Sequence, residues 1–120
     1  MSKKLQAGDL ILVSLPDHQP KGREQEGRRP AIIVGLPKGK VRYPVILIAP
    51  LTTQFGFWVE NNPTLYPKLN AGTGGLSKNS VVLLDQIRAV DVKRVISYLG
   101  SLSPREFQKI LEGLQSIFNL

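Results

Sequence analysis

Two arginines, Arg28 and Arg29, stand directly before Pro30 in the stretch GREQEGRRPAIIVG. The proline fixes the local backbone and opens a β-branched run, so the Arg29 guanidinium is tethered to the edge of a buried strand. A guanidinium held in that way can grip a phosphate through two parallel hydrogen bonds. A second apolar run ends at Pro50 and is followed by Thr52, Thr53 and Gln54, which supply hydroxyls and an amide. If the two runs are neighbouring strands, their ends could bring Arg29 and Thr52 together. Each residue also has a plainer reading. Arg29 could be a surface cation paired with Glu24 or Glu26, and Thr52 and Thr53 could be turn or strand-end hydroxyls.

Other routes to catalysis find little support. The chain has no cysteine, hence no thiol nucleophile, disulfide framework or zinc knuckle, and its one histidine, His18, lies in a polar loop. No GxSxG element accompanies His18, so its plain reading is an exposed loop histidine. The acids Asp9, Asp17, Glu24, Glu26, Glu60, Asp85 and Asp91 are scattered, and Glu24 and Glu26 sit among arginines. No metal or cofactor is implied. The glycines of GTGGLSK lack the GK[ST] ending of a phosphate-binding P-loop.

Sixteen Lys and Arg face nine Asp and Glu, a net charge of +7 with a pI near 10.0. Residues 1–48 hold nine of the basic groups and four of the acids. A basic field concentrated in one half of the chain points to a polyanionic partner, nucleic acid first. Hydrophobic residues make up 42% of the chain, as in an ordinary globular domain. The apolar run Leu10–Val13 is too short for a signal peptide and no stretch reaches the length of a membrane span. The expectation is a soluble, cytoplasmic protein with no membrane partner.

The positioning elements are read from pattern. One domain, 1–120, is expected. Strands are expected at 10–15, 31–36, 44–50, 81–90 and 95–100, with weaker candidates near 57–60 and 65–69. Residues 16–30 read as a polar loop, and Gly72, Gly74 and Gly75 as a hinge or turn. Ser103, Pro104 and Glu106 occupy N-cap, N1 and N3 of a helix expected over 104–118. Its apolar face is Phe107, Ile110, Leu111, Leu114, Ile117 and Phe118. Five to seven short strands before one helix make a mainly β fold, a small bent sheet or barrel with a C-terminal helix.

The order of segments GDLILVSL, GREQEGRRPAIIVG, APLTTQ, SKNSVVLLDQIRAVD and LSPREF resembles the MazF/PemK toxin family, the ribonuclease halves of type II toxin–antitoxin pairs. The likeness covers roughly residues 7–118, and the EQ-x-G-x-RP and DQ-[IV]-R segments are its most specific parts. It implies an SH3-like, CcdB-like barrel of the PemK type and a homodimer. It also implies sequence-specific, metal-independent cleavage of single-stranded RNA. On this sequence the family's catalytic pair falls on Arg29 and Thr52. Glu24, Gln25, Arg28, Thr53, Gln54 and Gln86 fall on substrate-binding or site-shaping positions. A cognate antitoxin with an acidic segment is the implied protein partner.

RNA carries its own nucleophile, the 2′-OH, so such an enzyme needs no Ser, Cys or metal-bound water. It must align the 2′-OH and steady the charge added at phosphorus. The general base stays open between Glu24 and water, because arginine is a poor base. Loops 16–28 and 53–78 are expected to choose the RNA, the second through Phe55, Phe57, Trp58 and Tyr66, whose faces can stack on bases. The plainer reading puts two or more of these rings in the core. The segment ENNPTLYPKLNAGTGG departs most from the family's pattern. Two rivals remain: a gyrase-binding toxin of the same barrel type, and an SH3-like module that binds nucleic acid without cutting it.

Overall fold

The computed structural model describes residues 3–16, 22 and 26–120. Seven strands are found among them: β1 (Asp9–Leu15), β2 (Gly27–Gly35), β3 (Val45–Thr52), β4 (Lys68–Leu69), β5 (Ser80–Val82), β6 (Arg88–Asp91) and β7 (Val95–Ser101). Two helices join them, a single turn α1 (Trp58–Asn61) and the long α2 (Pro104–Phe118). All pairings are antiparallel, in the order β4-β5-β3-β2-β1-β7, with β6 also against β3. The sheet curls into a half-barrel with α2 at its end, the mainly β architecture expected from the sequence.

Strand alternation divides the core between two faces. On one, Leu10, Ile32, Ala49 and Leu51 pack with Leu84, Leu102 and Ile110 of α2. On the other, Ile11, Val13, Ala31, Ile33, Ile46 and Ile48 close around Val90. Fully burying each such aliphatic side chain contributes about 1.5–3 kcal/mol. The capping box of α2 is complete: Ser103 Oγ accepts from the Glu106 amide at 3.1 Å and Glu106 Oε1 accepts from the Ser103 amide at 2.8 Å. Of its apolar face, Ile110 is buried and Phe107 and Leu114 are partly so, whereas Leu111, Ile117 and Phe118 are exposed.

The structure corrects the expected elements in four places. The run 57–60 is not a strand; it enters the single helical turn α1. Of 65–69 only Lys68–Leu69 pairs, with β5. The expected strand 81–90 is broken. Ile48 pairs with Arg88 and the Leu83 amide donates to Pro50 O at 2.9 Å, so residues 84–87 stand opposite Ala49 alone. The break has a packing cause: Leu84 leaves the ladder and is fully buried in the cluster that contains Ile110. Strand β2 also begins earlier than expected, because Gly27–Pro30 pair with Leu15–Leu12 of β1. Arg28 and Arg29 therefore lie within a strand.

The glycine-rich stretch forms a turn docked on β7. A Cβ on Gly75 (φ +79°) would lie 2.1 Å from Leu99 O, and one on Gly100 would lie 2.5 Å from the Gly74 carbonyl. Only glycine permits that backbone-to-backbone approach.

Candidate active site

Pairing of β2 with β3 runs Ala31↔Pro50, Ile32↔Ala49, Ile33↔Ile48. The ladder ends there; its register carried two residues further would turn Arg29 and Thr52 to one face of the sheet, although Arg29 does not line the cleft onto which Thr52 opens. Arg28 and Thr53, one residue along each chain, belong by alternation to the opposite face. Arg28 and Arg29 are neighbours in sequence, as are Thr52 and Thr53; strand alternation splits each of these pairs between the two faces of the sheet.

Thr52 is buried, 7% exposed, yet it is a polar residue at the end of a core strand. Its hydroxyl is held by a tight turn, accepting from the Gln54 amide at 3.1 Å and donating to Gln54 O at 3.3 Å. On its other edge β3 pairs Thr52 with Val81. Arg29 is half-buried and its Nε donates to Glu26 O at 3.2 Å, which anchors the guanidinium stem to the backbone. The expected alternative pairing with Glu24 falls outside the described residues, as do Gln25 and His18.

Thr52 opens onto a cleft of about 320 Å³ whose walls include Gln54, Trp58, Tyr66, Asp85 and Gln86. Each wall has a local cause. Residues 84–87 bulge out of the β5–β6 line, and Leu84 anchors the bulge in the core while Asp85 and Gln86 reach the cleft. Trp58 starts α1 and meets Tyr66 edge to face, ring centroids 4.8 Å apart. The Tyr66 hydroxyl donates to Asp85 Oδ2 at 2.6 Å. That bond, then burial, then the Asp85 charge raise the Tyr66 pKa above its ordinary 10.0. The phenol is therefore a neutral donor at any physiological pH.

Among the sequence-chosen residues, Thr52, Gln54, Trp58 and Gln86 line this one cleft. Thr53 does not; it lines a separate cleft with Pro30. Phe55 packs half-buried with Tyr66 against Val59, Val81 and Leu83, so it floors the region instead of offering a free face. Lys68 sits 5.6 Å over its ring. Phe57 is 84% exposed, while Trp58 is 40% exposed. Asp85, one of the acids scattered along the sequence, joins the cleft; its place directly before Gln86 in an otherwise apolar run is the signal that marks it. Tyr66 was singled out only as a ring; its hydroxyl bond to Asp85 is the added feature. Among the described residues, no three His, Asp or Glu side chains cluster as a metal site, and no helix is long and apolar enough to cross a membrane.

A curled antiparallel half-barrel, closed by a C-terminal helix and carrying a polar cleft where its central strand ends, defines a small class of β proteins. The chain belongs to the PemK-like, MazF-like toxins of type II toxin–antitoxin systems, whose family model matches residues 6–118. A relative named endoribonuclease MazF, from Staphylococcus saprophyticus, is 30% identical over 106 residues, 88% of this chain and 84% of that one. The solved structure of MazF from Deinococcus radiodurans has a TM-score of 0.70 at 23% identity, covering 97% of each chain. A mycobacterial endoribonuclease solved in complex with its cognate antitoxin has a TM-score of 0.67 at 22% identity, covering 100% of this chain and 97% of that one. At these identities the solved structures support the fold.

Proposed function

We propose that this toxin is a sequence-specific endoribonuclease that cuts single-stranded RNA without a metal ion, works as a homodimer in the cytoplasm, and is neutralised by an acidic segment of a cognate antitoxin. The observation that carries the reading is the buried Thr52 hydroxyl, fixed by its own turn at the cleft; the β2–β3 register extended past Ala31↔Pro50 turns Arg29 to the same face of the sheet. Family membership and the staphylococcal relative's name favour RNA cleavage over gyrase binding and over binding without cutting.

In the proposed reaction the 2′-oxygen attacks the adjacent phosphorus while its proton leaves to water or to Glu24. The bond from phosphorus to O5′ breaks, O5′ takes up a proton, and the products end in a 2′,3′-cyclic phosphate and a 5′-OH. Arg29 stabilises the charge gathered on the phosphoryl oxygens. Thr52 donates its hydroxyl proton to a nonbridging oxygen. The turn suits this role: the Gln54 amide fixes the hydroxyl oxygen, and the single proton need only exchange Gln54 O for the substrate. Trp58 offers a stacking face to an unpaired base, while Gln54, Asp85 and Gln86 address its edge. Arg28, Thr53 and Phe55 serve the site from outside this cleft, and Gln25 is assigned a substrate-binding role by the family motif alone.

The test is cleavage of a long, defined single-stranded RNA in EDTA, comparing the intact protein with Arg29→Ala and mapping both new ends. Discrete cuts ending in 2′,3′-cyclic phosphate, lost in the variant, are expected. Binding without cutting at enzyme excess would remove catalysis and turn attention to gyrase. Cuts that survive Arg29→Ala would show that the charge-stabilising group lies elsewhere.

A further inference from the structure

Across the sheet from the Thr52 cleft lies another of about 230 Å³, between β2, Thr53 and the glycine-rich turn docked on β7. Its polar walls are Thr53, Ser77, Lys78 and Ser80, above an apolar floor that includes Leu12 and Pro30. Among the described residues, no acidic side chain lines it. A larger cleft of about 390 Å³ beyond Tyr66 differs in that respect, since Glu60 and Glu112 face Lys68 and Lys109 across it. Its field is mixed, and Lys68 already lies 3.9 Å from Glu60.

Lys78 lines the smaller cleft, and Arg28 lies beyond its Pro30 wall. Lys78 is exposed in its wall, and neither hydrogen bond nor ion pair engages its ammonium among the described residues. Arg28 lies two residues before Pro30 on β2, hence on the same face and about 6.6 Å further along the strand. It too is exposed, with its guanidinium unpaired among the described residues. Ser80 is 2% exposed and its hydroxyl is occupied by Lys78 O at 3.0 Å, a contact that fixes the backbone from which Lys78 projects. Thr53 and Ser77 are exposed hydroxyls on the same wall.

The geometry points to a second phosphate subsite here, formed by Arg28 and Lys78 with the hydroxyls of Thr53 and Ser77, that holds an RNA phosphate flanking the scissile one. The inference rests on the endoribonuclease reading and adds the path of the RNA to it. Successive residues at a strand end face opposite ways. Arg29 and Thr52 therefore address one side of the β2–β3 end, and Arg28 and Thr53 the other. A single strand draped over that end meets a cation and a hydroxyl on both sides. A phosphate is the ligand whose chemistry fits exposed cations beside hydroxyl donors in a cleft that no described carboxylate lines.

The test measures binding of a uridine oligoribonucleotide over a salt series for the full chain, Arg28→Gln, Lys78→Gln and the double variant. Both side chains are exposed, so folding is checked simply by unchanged circular dichroism. Each replacement should flatten the slope of log K against log salt by about 0.7, and the pair by about twice that. On a mapped cut site, a neutral methylphosphonate at one flanking position should weaken wild-type binding and leave Lys78→Gln nearly unaffected. Unchanged slopes, equal methylphosphonate penalties, or variants that lose antitoxin binding alone would overturn the subsite. If the wild type cuts no RNA but the slopes still flatten, the catalytic reading fails and the phosphate subsite stands.

Discussion

Replacing Thr52 by valine removes one oxygen and keeps the shape of a residue that is only 7% exposed. Two costs follow, and they differ enough to be told apart. In the free protein the change deletes the 3.1 Å and 3.3 Å bonds to Gln54. Gln54 is exposed, so water can replace the lost partner, and the net cost to stability is about 1 kcal/mol. In the transition state the change deletes a fixed donor to a phosphoryl oxygen, a loss of about 100- to 1000-fold, or about 2.7–4 kcal/mol. Single-turnover cleavage at enzyme excess, below the melting temperature of both proteins, isolates the second cost. Thr52→Ser keeps the donor and loses a methyl, so it should retain a rate within about tenfold of wild type, which is about 1.4 kcal/mol. A valine variant cutting within about threefold of wild type would refute the role of the hydroxyl. If serine loses as much activity as valine, the hydroxyl does not act alone and the packing of the methyl group is needed to hold it in place.

Tyr66 should show its bond to Asp85 in an alkaline titration. Its folded pKa is raised above 10.0 by that hydrogen bond, by burial and by the Asp85 charge. The protonated phenol therefore adds its full contribution to stability below the unfolded value and loses it as pH rises through the folded one. Subtracting the tyrosinate absorbance titration of Tyr66→Phe from that of wild type should give a midpoint above 10.0, and a lower midpoint would show that the bond does not form in solution. Gly75→Ala should destabilise the fold by about 2–5 kcal/mol, combining left-handed backbone strain with a Cβ forced against Leu99 O. Gly72→Ala (φ +92°), where a Cβ meets nothing within 4 Å, should cost only the strain, about 1–2 kcal/mol. Equal denaturation midpoints for the two would mean that the turn does not dock on β7.

The readable parts of this chain are those whose physics is local. Ser103, Pro104 and Glu106 specify a helix start through contacts within one turn, and α2 begins at Pro104. Pro50 and the apolar run before it delimit β3 to within two residues. What pattern could not show depends on partners far away in sequence. Gly27–Arg29 look like loop because they are charged, yet their backbone groups pair with β1, and pairing does not require apolar side chains. VVLLDQIRAV looks like one strand because its apolar residues continue through Leu84. Its interruption follows from the choice of Leu84 to pack toward α2, a decision taken by a helix twenty residues later. That non-local choice also builds the site, because the bulge it forces is what carries Asp85 and Gln86 to the Thr52 cleft. A continuous strand would have held Asp85 and Gln86 in the ladder beside β3, on opposite faces of the sheet. The feature the sequence concealed and the feature that assembles the cleft are one event. The doublet Asp85-Gln86 inside an apolar run is its only local trace, a pair of polar side chains that a buried strand would have had no means to satisfy.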